Sequence, residues 1–325
     1  MKIIDFYFYV LNEIRLLTNN KIEAEAETEL IFGSKKFKKY FGKSLNKIDI
    51  FATYSDFILK KNVISYFNEI LKKRSKGIPI QYILDEAWFY GHEFHVYKNS
   101  ITKALIPRNE TELIVESFIE ETNNNKFNSI YALDIGTGSG CIPISILLNS
   151  NKKIYFDAID PYSFEIAKKN ISRYKLKSQI SLHKIGLHDI SNIFTKKYDF
   201  ITANLPYISE DNFINKLRHE PSEALYAGDK GLFLIKNLIE ILPKFIKKDG
   251  FAFIEIDPEQ SYFFKSLKNF RVEIKKDYNN FERLVILRIM WLLSFSKLLS
   301  FSCSFKAIFL TFFDPWVSCK KAFNF

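Results

Sequence analysis

Three glycines fall within five residues in Gly136-Thr137-Gly138-Ser139-Gly140, in a chain that has only eleven. An apolar run precedes them and a second apolar run follows, so the cluster reads as a turn between a strand and a helix. Glycine is concentrated where backbone must take φ > 0 or where a ligand lies against bare main chain. The helix that opens after the turn adds unpaired N–H groups. The spacing is not the G-x-G-x-x-G that cradles a pyrophosphate. A tight turn with no ligand is the plain alternative.

A cofactor without pyrophosphate fits this turn, and S-adenosylmethionine is such a molecule. Asp134, at the strand tip, is placed to accept from its ammonium group. Asp160 ends the next strand, about twenty residues on, where one carboxylate can accept from two ribose hydroxyls. Taken alone, Asp160 could equally cap the helix ahead of Pro161. The third strand leads into His188-Asp189-Ile190. There Asp189 could accept from the adenine amine and Ile190 could pack on the ring, or Asp189 could cap a helix. The expected cofactor set is Asp134, Gly136, Thr137, Gly138, Ser139, Gly140, Asp160, Asp189, Ile190 and Asn204.

Asn204-Leu205-Pro206-Tyr207 follows the fourth strand, and ligands of open α/β sheets bind at the carboxyl ends of strands. An amide or aryl-amine nitrogen is a poor nucleophile because its lone pair is delocalised. Two acceptors aimed at its N–H groups hold it in line with a methyl donor and favour charge developing on nitrogen. The Asn204 side-chain oxygen and the Leu205 carbonyl can supply them. Pro206 biases Leu205 toward extended backbone, and Tyr207 can cover a planar group. Asn204, Pro206 and Tyr207 are therefore the catalytic candidates, with Leu205 completing the substrate-binding set. No metal and no strong base are needed. An ordinary turn after a strand is the alternative.

The elements that must position these residues are legible from periodicity. Residues 1–80 carry apolar positions at helical spacing, with helices expected over 1–17, 24–32, 35–40, 55–59 and 63–74. Residues 81–128 read as a linker whose aromatic and β-branched runs flank Gly91 as a hairpin. From 129 to 288 strand and helix alternate, which predicts an α/β, Rossmann-like parallel sheet with helices on both faces. A helix is expected to start at Pro161, and another to run from Gly231 to Lys248, stopping before Gly250.

Composition is that of a globular protein, with 47% hydrophobic and 26% charged residues. Thirty-three phenylalanines and abundant Lys, Ile and Asn suggest an AT-biased genome. The net charge of +10 suits anionic partners, yet the lysines are dispersed, so nucleic acid is possible but not required. Three cysteines, Cys141, Cys303 and Cys319, with no C-x-x-C, argue against a disulfide framework or zinc. The five histidines read as structural or surface residues, and the metal expectation is none. No secretory signal opens the chain, so a cytoplasmic monomer is expected. Residues 289–325 form an atypical hydrophobic tail. A membrane helix over 289–313 would bury Lys297 and Lys306 at about 2.5–3.5 kcal/mol each. A partner-binding amphipathic helix and an appended tail without chemistry compete with that reading, and no membrane role is expected for the catalytic domains.

With these residues in place, the chain resembles the release-factor glutamine methyltransferases, the PrmC/HemK family, from about residue 1 to residue 288. The motifs are G-I-P-I-Q-Y-I-L at 77–84, I-P-R-N-E-T-E at 106–112, the glycine turn, N-L-P-Y-I, and H-E-P-S-E-A-L-Y-A-G-D-K-G-L at 219–232. The resemblance implies a small N-terminal helical domain that docks a peptide-chain release factor, a linking β-hairpin, and a seven-stranded methyltransferase domain with its last strand antiparallel. It implies S-adenosylmethionine as cofactor and the glutamine of a Gly-Gly-Gln loop as substrate, held by Asn204 through Tyr207. Departures occur at Leu205 and Asn109, where the pattern has proline, and at Asp85 and Asp257, where it has glycine. Asn-Leu-Pro-Tyr also resembles the rRNA adenine dimethyltransferases, which makes exocyclic-amine methylation of nucleic acid the rival reading. A weakened binding module is a second rival.

Overall fold

The computed structural model describes residues 1–124, 129–209 and 217–290. The N-terminal part is helical: α1 (Ile3–Thr18), α2 (Lys21–Gly33), α3 (Lys35–Phe41), a π turn at Asp49–Thr53, α4 (Lys61–Arg74) and α5 (Ile80–Leu84). Its boundaries follow capping chemistry. Asn19 turns left-handed to close α1, and the Asn20 side chain accepts from Ile22 and Glu23 N–H to open α2. Ser34 opens α3 and Gly42, at φ +100°, closes it. The apolar faces meet in one core around Phe6, Phe32, Phe37 and Phe67, which reaches Leu84 rather than stopping at 80. The helix expected over 55–59 is absent. That stretch is a turn leading to an antiparallel bridge between Lys2 and Ile58, and an extended pairing leaves no room for helical bonds.

The hairpin forms as read, from β1 (Ala87–Phe89) and β2 (His92–Phe94). Tyr90 and Gly91 both have positive φ, the geometry of a tight hairpin turn. The region read as linker also holds α6 (Glu112–Asn124). Leu113, Ile114, Val115 and Phe118 lie in the same buried cluster as the central sheet, so the catalytic layer begins well before residue 129.

The sheet follows, with β3 (Ile130–Ile135), α7 (Cys141–Asn149), β4 (Ile154–Ile159), α8 (Phe164–Arg173), β5 (Ile180–His183), the short α9 (Ile190–Ile193) and β6 (Tyr198–Ala203). A two-stranded pair, β7 (Ile208–Ser209) with β8 (Tyr226–Ala227), precedes α10 (Phe233–Phe245), β9 (Ile246–Glu255), α11 (Ser261–Lys265), β10 (Phe270–Lys276) and β11 (Glu282–Ile289). Seven strands order as β10-β11-β9-β6-β3-β4-β5. All neighbours are parallel except β11, which runs antiparallel to both β9 and β10. Strand order reverses between β3 and β6, and their carboxyl ends, Ile135 and Ala203, are register partners. That adjacency puts the glycine turn and the Asn204 loop side by side.

Two helix bounds differ from expectation. Residues 161–163 precede α8 instead of starting it, because the Asp160 carboxylate accepts from Tyr162 and Ser163 N–H and holds a bend. Helix α10 ends at Phe245, and residues 246–250 already belong to β9. Gly250 is not a helix stop: a Cβ there would lie 2.7 Å from the Asp199 carbonyl oxygen, so glycine permits close strand approach. Residues 291–325, with the tail and its three readings, lie outside the described residues. Among the described residues no helix is long and apolar enough to cross a membrane.

Two distant segments are bolted together beneath the sheet's carboxyl edge. Arg108 Nη2 donates to Glu220 Oε1 at 2.6 Å, Ile106 N–H donates to Glu220 Oε2 at 3.3 Å, and Lys103 Nζ donates to the His219 carbonyl. The Glu220 side chain is 4% exposed. Glu220→Ala takes from Arg108 its hydrogen-bonded carboxylate and is expected to cost about 3 kcal/mol, measured by denaturant unfolding, with Glu220→Gln losing less.

Candidate active site

The glycine turn has the backbone its composition calls for. Gly136, Gly138 and Gly140 sit at φ +72°, +58° and +81°. Gly136 and Thr137 N–H both donate to the Ile159 carbonyl at 3.0 Å, and Gly138 N–H donates to Asp160 Oδ2 at 2.9 Å. The turn is thus stitched to the end of β4. A side chain at Gly140 would meet Ile144 and Ala167, and one at Gly136 would meet the Leu205 side chain at 3.4 Å. Leu205 is itself buried, so the two loops interlock.

A cavity of about 400 Å³ opens above the turn. Its walls include Gly136 to Ser139, Asp160, Tyr162 and Asn204 to Pro206, together with Pro221, Glu223, Ala224 and Phe233. Beneath it lie side-chain atoms with no protein partner. Asp134 Oδ1 accepts from Thr202 Oγ1 at 2.6 Å, but its Oδ2 is buried and unpaired, as are the hydroxyls of Thr137 and Ser139. Unpaired buried polar atoms are costly and call for a ligand. Burial pushes the Asp134 carboxyl up to about 6. A carboxylate seat fits the ammonium group of S-adenosylmethionine, and orphan hydroxyls and bare turn backbone fit the carboxylate beside it.

Asp160 answers to both sequence readings. It lines the cavity and also caps the bend before α8, accepting three backbone N–H groups. Oδ1 already accepts two of these and Oδ2 one, so the room left for a further donor is on Oδ2. Burial raises its pKa. Asp189 and Ile190 are not at the cavity. Residues 187–189 wind into a 3-10 turn that leaves Asp189 exposed and packs Ile190 into the core. Asp189 caps no helix either. Ile185 to His188 face the cavity in their place. Gly140 also lies off the cavity wall, packed against α8.

The Asn204 loop is held firmly. Asn204 Nδ2 donates to Thr111 Oγ1 at 3.0 Å, an orientation that leaves Oδ1 as an acceptor. Tyr207 does not line the cavity. Its hydroxyl donates to Glu255 Oε1 at 3.1 Å, and its carbonyl accepts from Gln260 Nε2 at 3.2 Å. Thr111, Tyr162, Phe233 and Glu255 were missed from sequence. Thr111 carried a signal, since it sits in the I-P-R-N-E-T-E motif; the other three have no spacing rule to reveal them. Of the histidines, His95 pairs with Asp85, His183 with Asp157 and His92 with Asn149, while His188 lines the cavity. No group of three or more metal-ligating side chains occurs among the described residues.

A cation seated beside Asp134 would be bound in a pH-dependent way. The ionised form attracts a cation, and with a folded value of about 6 that attraction grows as pH rises through 6. Calorimetry between about pH 7 and about pH 5 should show roughly tenfold weaker S-adenosylmethionine binding at the acid end. Asp134→Asn should bind weakly throughout and lose that slope. In the empty protein the sign for folding is opposite: an acid with a raised folded value costs stability as pH climbs from its unfolded range toward 6.

Residues 110–220 match the model of the ribosomal protein L11 methyltransferase (PrmA) family. A release factor glutamine methyltransferase of Aquifex aeolicus is 31% identical over 240 residues, covering 70% of this chain and 81% of that one. A solved ribosomal protein L11 methylase from Lactobacillus delbrueckii subsp. bulgaricus, 20% identical, covers 57% of this chain and 81% of its own at a TM-score of 0.41, too low to carry weight. A release factor glutamine methyltransferase of Mycoplasma mycoides is 32% identical over 270 residues, or 75% of this chain. Because that identity is sustained across 93% of the Mycoplasma enzyme, the chain belongs to the release factor glutamine methyltransferase family.

Proposed function

We propose that the protein transfers the methyl group of S-adenosylmethionine to the side-chain amide nitrogen of the glutamine in the Gly-Gly-Gln loop of a peptide-chain release factor. The observation that carries this reading is the Asn204 amide, oriented by Thr111 at the wall of the cavity and directly beside the glycine turn. Gly136 to Ser139, Asp134 and Asp160 hold the cofactor. When bound, it supplies an electrophilic methyl group. Asn204 Oδ1 and the Leu205 carbonyl accept the two N–H bonds of the substrate amide and draw electron density toward its nitrogen. Pro206 keeps Leu205 extended, and Tyr207 anchors the loop from its far end. The nitrogen then sheds its extra proton to solvent, so no buried base is required. The helical domain over residues 1–84 docks the release factor, consistent with work in the cytoplasm.

Labelled methyl transfer tests the reading. A release factor should accept label, the same factor with its loop Gln changed to Ala should not, and RNA should stay unlabelled. Label on RNA alone overturns the proposal in favour of exocyclic-amine methylation. Asn204→Ala is expected to lower kcat by about 100-fold or more, while calorimetry shows S-adenosylmethionine affinity within about 3-fold of wild type.

A further inference from the structure

Glu255 is a buried carboxyl that the mechanism above does not use. It ends β9, and because Ala203 and Ile254 are register partners, it stands beside the first residue of the Asn204 loop. It is 1% exposed. A carboxyl in so dry a place is expensive, and an apolar residue would pack there at less cost. One oxygen accepts from Tyr207 and the other is buried without a partner.

Tyr207 is gripped at both ends. Its hydroxyl meets Glu255. Its carbonyl meets Gln260, whose own amide is fixed because Oε1 accepts from Asp257 N–H at 3.1 Å. Space is reserved for this grip: a Cβ on Gly231 would lie 1.9 Å from the Tyr207 carbonyl oxygen and 2.7 Å from Gln260 Nε2. At the other end of the loop, Thr111 holds Asn204. The Leu205 carbonyl is suspended between these two anchors.

Resting on the proposed function, we infer that Glu255 is a positioning residue: through Tyr207, and together with Gln260, it keeps the Asn204 and Leu205 acceptors aimed at the nitrogen to be methylated. The groups facing it are Tyr207 from the loop, Glu110 and Thr111 from the 3-10 turn before α6, and Arg283 from β11. Burial, and then Glu110, push its carboxyl up to about 7, while Thr111, Tyr207 and Arg283 oppose them. An ionised carboxylate accepts from a phenol more strongly than a neutral acid does. The grip therefore tightens as pH rises through 7.

A double-mutant cycle with a pH profile tests this. Glu255→Ala and Tyr207→Phe should each lower kcat by about 30-fold with KM within about 2-fold, and the double variant should be no slower than either single. Glu255→Gln can still accept from the phenol but cannot titrate. It should recover to within about 3-fold of wild type and lose the acid limb that wild-type kcat shows near pH 7. Losses that multiply, an effect confined to KM or to S-adenosylmethionine affinity, or an unchanged acid limb in Glu255→Gln would each overturn the inference. If Glu255→Ala fails to fold, the Glu255→Gln profile and Tyr207→Phe decide alone. All values are ratios to wild type on whatever acceptor the wild type labels. Failure of the release-factor reading therefore shows as a different labelled acceptor, and failure of the grip as the wrong ratios.

Discussion

One hydrogen bond, from the Asn204 side-chain nitrogen to Thr111, pins that amide at the wall of the cavity with its oxygen left to accept. A threonine hydroxyl can itself donate or accept, so what the bond fixes is the place of the side chain. Thr111 is a good neighbour because its own place is over-determined. It follows Arg108, which is locked to Glu220, and it opens α6, whose apolar face is buried under the sheet. The chemistry at the cavity thus depends on a salt bridge and a helix that touch no ligand.

The same sheet treats its acidic residues in two ways. Asp157 is partnered by Tyr198, His183 and Lys196, and Asp199 by Tyr131 N–H and Lys247. Near the carboxyl edge, Asp134 and Glu255 each keep a buried oxygen without a partner. Paired acids serve the fold. Acids left with an unpaired oxygen behind a cavity wall give up stability for the arrangement of the loops in front of them.

Much of this was legible in the sequence. Three glycines in a glycine-poor chain marked the turn, and alternating apolar runs gave the order of strands and helices. The hairpin at Gly91 and the neighbouring places of Asp134, Asp160 and Asn204 followed. Asp189 and Ile190 fall away from the cavity, which Ile185 to His188 line instead, because a short 3-10 turn has no periodicity to read. Pro161 and Gly250 misled for a related reason. Each suits a helix boundary by type, yet one sits in a bend held by Asp160 and the other in a strand crowded by the Asp199 carbonyl. Glu255 was invisible because its meaning lies in a partner 48 residues away.

The contact between Leu205 and the space beside Gly136 has a consequence for how such a site can diversify. The family pattern places a proline where this chain has leucine, and leucine reaches across to the neighbouring turn. A Cβ at 136 would just touch it, at 3.4 Å, while the positive φ of +72° at that position already favours glycine. The two positions share one small space, so substitutions at 136 and 205 are expected to couple, and the two loops should drift as a pair.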